Sequence, residues 1–103
     1  MTNKITYHPE VYHEVIAIVE WYDLRGEGLG LDFSKELNVL LNFISENPSS
    51  GTDSGNMSRI ARMQKFPYLI EYYISGEEIR VINIIHAVRD PSLRKRNARK
   101  RRK

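Results

Sequence analysis

The segment FPYLIEYYISGEEIRVINIIHAVRDP, residues 66–91, restricts the fold more than any other part of this chain. Two β-rich runs, Phe66–Ser75 and Glu78–Val88, meet at SGEE (75–78), a short glycine-bearing join of the kind a β-hairpin needs. In the second run Ile79, Val81 and Ile85 alternate onto one face, and Ile82 and Ile84 onto the other. A strand apolar on both faces belongs in the middle of a covered sheet. The rest of the chain must therefore supply a neighbouring strand and a covering layer.

Both are legible. KITYH (4–8) alternates and reads as a short strand, and Ser58–Gln64 reads as another. Pro9 suits the first turn of a helix, and from Glu10 to about Arg25 the residues Val11, Val15, Ile18, Val19 and Tyr22 recur at three- and four-residue spacing. RGEGLG (25–30) interrupts that period. Its alternating glycines resemble a phosphate-cradling loop only superficially, because such a loop follows a strand and this one follows a helix. A second helix from about Leu31 to Glu46 has Phe33, Leu37, Leu40, Leu41 and Ile44 as its apolar stripe and stops at Asn47-Pro48. PSSGTDSGN (48–56) is a polar loop without a period. The order β-α-α-β-β-β predicts an α+β domain: a small antiparallel sheet packed on an N-terminal helical hairpin, with its other face open and partly polar.

At 103 residues the chain is expected to be a single domain spanning 1–96, followed by a basic, disordered tail at 97–103. The absence of cysteine excludes a disulfide framework, thiolate metal sites and thiol catalysis. No leader pattern or membrane-length apolar run is visible, so a cytoplasmic protein is the expectation. The net charge of +3 hides an asymmetry: residues 89–103 hold nine Lys/Arg and one acid (+8), and residues 1–88 hold seven and twelve (−5). A tail of that kind suits nucleic acid or ribosome contact, or simply a solvated end.

The candidates for chemistry gather on the strands. Alternation places His86 on the face of Arg80, Ile82 and Ile84, Arg62 with Ile60, and Tyr68 with Tyr72. Arg59, Arg62, Lys65, Arg80 and Arg89 all sit on or beside the sheet. Cations with a histidine and tyrosines suit RNA cleavage by 2′-hydroxyl attack, which needs a base, an acid and cations on the crowded phosphate. They suit phosphate or carboxylate binding equally, and they are also what any two-layer sheet shows at its rim. His8 and His13 are five apart and lie on different sides of a helix, so no metal site is expected, nor any cofactor. Trp21-Tyr22 reads as core or as a cover over the hairpin turn, with partner binding as the alternative for Trp21.

The chain resembles the RelE/ParE superfamily of toxins from bacterial type II toxin–antitoxin systems. The resemblance rests on a strand followed by HPEVYHEVIAIVEWY, on GEGLGLDF, on ISENP, and above all on RIARMQKFPYLIEYYISGEEIRVINIIHAVRDP, and it covers residues 4–96. It implies a growth-inhibiting toxin bound and silenced by a cognate antitoxin in a hetero-oligomer. One branch of the superfamily cleaves mRNA on the ribosome without a metal; the other inhibits DNA gyrase and is no nuclease. Arg62 and Arg89 fall on basic positions of the nuclease branch, and His86 stands where a base could act. Leu69 occupies the place of a phosphate-binding arginine, and Lys95 that of a stacking tyrosine. WYDLRGEGLG and FPYLIEYY are more similar to the gyrase-inhibiting, plasmid-stabilisation branch, which is slightly favoured. A degenerate, non-toxic homologue is a third reading. The resemblance thus implies His86, Arg89 and Arg62 as candidate catalytic residues. Arg59, Lys65, Arg80, Arg94, Lys95 and Arg96 are expected to contact nucleic acid or target, and Tyr68, Tyr72 and Trp21 the antitoxin.

Overall fold

The computed structural model describes residues 3–87 and 97–101. Strand β1 (Lys4–Tyr7) leads into helix α1 (Pro9–Asp23), then helix α2 (Leu29–Glu46) and a short 3₁₀ turn (Pro48–Ser50). Strands β2 (Thr52–Asp53), β3 (Arg59–Arg62), β4 (Tyr68–Ser75) and β5 (Glu78–His86) follow. Residues 97–101 form a further helical turn. The sheet order is β1-β5-β4-β3-β2, with β5 and β4 inside. The sheet is mixed rather than wholly antiparallel, because β1 lies parallel to β5, Ile5 opposite Ile79. The chain re-enters the sheet after the helices at β2, antiparallel to β1, and three further antiparallel pairings bring β5 back alongside β1 in the same direction.

The helical hairpin is fixed by local chemistry. The His8 ring accepts the Glu10 N–H at 3.1 Å and caps α1, with Pro9 in its first turn. Gly28 takes a φ of 80° as the cap of α2, where a side chain would be strained. At Gly30 a Cβ would stand 2.4 Å from Oδ1 of Asp23, the same oxygen that accepts the Gly30 N–H at 3.0 Å. The last residue of α1 thus satisfies a first-turn donor of α2 that no helical carbonyl can reach, and RGEGLG is a turn whose anion is supplied from within.

Helix and sheet close over one core of Val11, Phe33, Leu37, Leu41, Ile44, Met63, Phe66, Ile70, Tyr72, Ile79, Val81 and Ile84. Each large side chain removed from water this way contributes about 1.5–3 kcal/mol before entropy is counted. At the hairpin end Tyr22 stacks on Phe33 with centroids 5.7 Å apart, and Phe66 meets both rings edge-on at 4.9 and 5.2 Å.

The strand β5 carries a bulge. Asn83 pairs with Glu71, but Val81 pairs with Tyr72, so Ile82 is an extra residue and the alternation reverses across it. Ile79, Val81 and Ile84 consequently all reach the helix-side core. The opposite face is not open as expected. Ile82 and Ile85 are buried outside that core, together with Ser58, Glu71 and Asn83. Ala98 and Arg101 of the C-terminal turn are buried too, where a disordered tail was expected from the charge alone. No described helix is long and apolar enough to cross a membrane.

Candidate functional site

The end of the sheet where β3 and β5 finish and β4 begins holds three of the expected site residues. His86, the last residue of β5, pairs with Tyr68, and the two rings meet edge to face at 5.4 Å. Tyr68 in turn lies edge-on to Phe33 at 5.6 Å, so both side chains look toward the helices. With Glu14, Ala17, Ile18 and Ile84 they line a cavity of about 150 Å³ between α1 and the end of β5. Arg62, the last residue of β3, pairs with Leu69, which pairs with Ile85. Paired residues share a face, so the register sets Arg62 on the opposite side of the sheet from His86, two strand spacings or about 10 Å across. At the strand end Arg62 lines a cavity beside α2 rather than the α1 cavity that holds His86. The sheet therefore brings these two candidates to one end and not to one face. Arg89 lies outside the described residues.

The bulge also separates His86 from Arg80, with which unbroken alternation had grouped it. Arg80 pairs with Tyr73 and Thr6 on the far face, near the β4–β5 turn. Its guanidinium lies 3.4 Å from the Thr6 hydroxyl and 3.5 Å from the Glu78 carboxylate. The Thr6 hydroxyl bond, then the charges of Arg80 and Lys4, hold the Glu78 carboxyl below its usual value. Arg59 donates to the Gly51 carbonyl at 2.8 Å and holds the loop before β2. Two of the expected nucleic-acid contacts are thus occupied within the fold. Lys65 is exposed in the β3–β4 loop, where the Glu36 carboxylate accepts the backbone N–H groups of Gln64 and Lys65 at 2.8 and 2.9 Å. Arg94, Lys95 and Arg96 lie outside the described residues.

The three partner-binding candidates divide. Tyr72 is fully buried, its hydroxyl accepting the Gly51 N–H at 3.0 Å and donating to the Pro48 carbonyl at 2.7 Å. It is a strut for the loop and presents no surface, which corrects its reading as a surface tyrosine. Tyr68 is half-buried. Trp21 is 49% exposed at the hairpin tip with the Arg25 guanidinium 3.6 Å from its ring centroid. Beside α2 runs a groove of about 640 Å³ lined by Leu29, Lys35, Val39, Gln64, Lys65 and Phe66. Val39 stands exposed along it at 69%, and Phe43, 53% exposed, lines an adjoining cavity with Val39, Arg62 and Met63. Among the described residues no group of His, Cys, Asp and Glu is placed to hold a metal ion.

A polar chain on the far face escaped the sequence reading. Ser58 donates to Glu71, Asn83 donates to Glu71 at 2.9 Å, and Arg101 donates to Asn83 at 3.2 Å and to the Ile82 carbonyl at 3.1 Å. Arg101 then grips Glu14 of α1 through both nitrogens, at 3.0 and 3.1 Å. Glu71 is a lone acid inside the apolar run LIEYYI, which is a signal for a buried partner; Arg101 sits in a run of like charges, where nothing distinguishes it.

No family model and no curated protein matches the sequence. Among solved structures, a chain described as "Chromosomal ParDE TA system from P. aeruginosa" is similar at a TM-score of 0.71 and 15% identity, over 82% of this chain and 96% of that one. With the element order above, that likeness shows that the chain has the same small α+β fold as that ParDE-system chain.

Proposed function

We propose that this protein is the toxin component of a type II toxin–antitoxin pair, that it arrests growth by inhibiting DNA gyrase, and that it performs no catalytic step of its own. The observation that carries the choice of branch is the placement of His86 and Arg62 on opposite faces of the sheet. A base and a phosphate-binding cation act on one phosphodiester only within a few ångströms of each other. The likeness to a ParDE-system chain supports the same branch. The antitoxin's seat in this reading is the α2 surface, where exposed Val39 lines the groove and exposed Phe43 the cavity next to it, offering anchors for an amphipathic helix.

The purified protein is expected to block supercoiling of relaxed plasmid by gyrase, and its expression without antitoxin to induce a DNA-damage response. Unchanged supercoiling at excess protein removes the proposal. His86→Ala and Arg62→Ala are expected to retain growth arrest. If both lose it while the parent protein cuts mRNA in the ribosomal A site, the ribonuclease reading takes its place; the basic C-terminal run is what favours that second reading. Harmless overexpression of the parent protein points instead to a non-toxic homologue.

A further inference from the structure

The C-terminal turn, residues 97–101, sorts its side chains in a way the sequence conceals. Ala98 and Arg101 stand three apart on one side of the helix and are buried, whereas Arg99 and Lys100 face solvent. Arg101 is a structural ion. Its guanidinium is shared among Glu14, the Ile82 carbonyl and Asn83, and is 8% exposed. Arg99 and Lys100 make no ion pair with any described residue. They belong to a run in which six of the nine cations between 89 and 103 are arginine, beside a body of net −5.

We propose that this anchored turn is a docking edge for the phosphate backbone of a nucleic acid, with Arg99 and Lys100 as phosphate contacts and Arg101 as the pin that fixes them to the body. Arginine forks match phosphate oxygens two at a time as they do carboxylates, and a nucleic-acid backbone presents such anions in a closely spaced series that neighbouring cations can meet together. A lipid surface is a poorer fit. Basic helices that lie on membranes carry an apolar face that dips among the acyl chains. Here the small apolar residue, Ala98, is turned inward and already buried. The acidic body confines the attraction to this edge, so binding is by backbone charge and strongly dependent on salt.

This edge stands apart from the choice of cellular target. The test is fluorescence anisotropy of the full chain with labelled 20-mer duplex DNA and duplex RNA across a salt series, with anionic and neutral vesicles in parallel. Each phosphate contact on duplex DNA adds about 0.9 to the steepness of log affinity against log salt. Arg99→Ala is expected to lower that steepness by about 0.9 and the Arg99→Ala/Lys100→Ala pair by about 1.8. Arg101→Gln, checked for folding by circular dichroism, is expected to leave the steepness unchanged, because Arg101 touches no phosphate, but to weaken affinity at every salt concentration, because the turn loses its hold on Glu14 and Asn83. A reading of the tail as uniform charge makes its loss of steepness equal to that of Arg99→Ala. Comparison of the DNA and RNA arms identifies which backbone is preferred. No binding to either duplex at 50 mM salt overturns the proposal. So does tighter binding to anionic vesicles, or equal loss of steepness in Arg101→Gln and Arg99→Ala. Supercoiling is read separately: a doubly substituted protein that still blocks gyrase leaves the gyrase proposal standing whatever happens to duplex binding.

Discussion

Replacing Tyr72 by phenylalanine removes one oxygen and little else. That oxygen is buried and holds two backbone groups of the loop before β2, the Gly51 N–H at 3.0 Å and the Pro48 carbonyl at 2.7 Å. The packing is tight enough that a Cβ on Gly51 would come within 2.7 Å of it. No water-sized site replaces a single hydroxyl, so both groups lose their partner. A stranded buried group costs about 1–3 kcal/mol, and rescue of the more accessible carbonyl by solvent brings the total to about 2 kcal/mol. For a chain of this size, with a urea m-value of about 1–1.5 kcal/mol per molar, the unfolding midpoint should fall by about 1.5–2 M. The melting temperature should fall by about 10 °C. Urea titrations followed by tryptophan fluorescence at Trp21 and by circular dichroism measure both. At low urea the folded variant should bind antitoxin as the parent does, because Tyr72 has no exposed surface. A midpoint shift under about 0.4 M would refute the strut argument, and weakened antitoxin binding at unchanged stability would restore Tyr72 as a contact residue.

Other perturbations read other joints of the fold. Asp23→Ala removes the acceptor for the Gly30 N–H and should cost about 1 kcal/mol in the same urea titration. Gly30→Ala drives a Cβ onto the Asp23 carboxylate and should cost about 1–3 kcal/mol, an effect that shrinks in the Asp23→Ala background. Glu36→Ala frees the two N–H groups of the β3–β4 loop, and hydrogen exchange at Gln64 and Lys65 should rise several-fold while global stability changes by less than about 1 kcal/mol. At alkaline pH the buried tyrosines matter. Burial raises Tyr7, and burial followed by the proximity of Tyr68 raises Tyr22, above the ordinary value of 10.0. A raised folded pKa means their contribution is complete below about pH 10 and is lost as pH climbs through the higher folded value. Tyr7→Phe should therefore shift alkaline unfolding to higher pH, and an unchanged midpoint would count against the burial argument.

The helices, the hairpin turn and the chain order of β1, β3, β4 and β5 were legible because each rests on local pattern: the three-and-four spacing of Phe33, Leu37, Leu41 and Ile44, the glycines of RGEGLG, the SGEE join. The two-residue β2 lay in the segment read as a polar loop. What failed depends on pairing between distant residues. A bulge adds one residue without changing the apolar content of VINII, so nothing in the string separates His86 from Arg80. The parallel direction of β1 depends on its pairing with β5, the last strand of the sheet, which a strand of four residues does not announce. Tyr72 looks like its neighbour Tyr73 until the loop that its hydroxyl holds is in place. Arg101 is one arginine in a basic run, selected by distant partners: Ile82 and Asn83 on β5 and the Glu14 carboxylate on α1, 87 positions earlier. Of the candidate site, the residue types and their shared strand end were readable; the faces they occupy were not.

The partnership of β1 with β5 bears on how the protein is born. Lys4 aligns with Glu78 and Tyr7 with Val81, so the first strand to leave the ribosome has to wait for the last strand of the sheet before its backbone is paired. Loop-closure entropy over that separation is large, and contacts so distant in sequence form late. Translation at about 5–20 residues per second sets a delay of several seconds between the two strands. During that interval the nascent helical hairpin is without its sheet, and its Phe33 and Ile44 stripe is open to any apolar partner already present. A fold wired in this way is complete only once β5 has been made, which gives a pre-existing binding protein the first opportunity to capture the earlier elements.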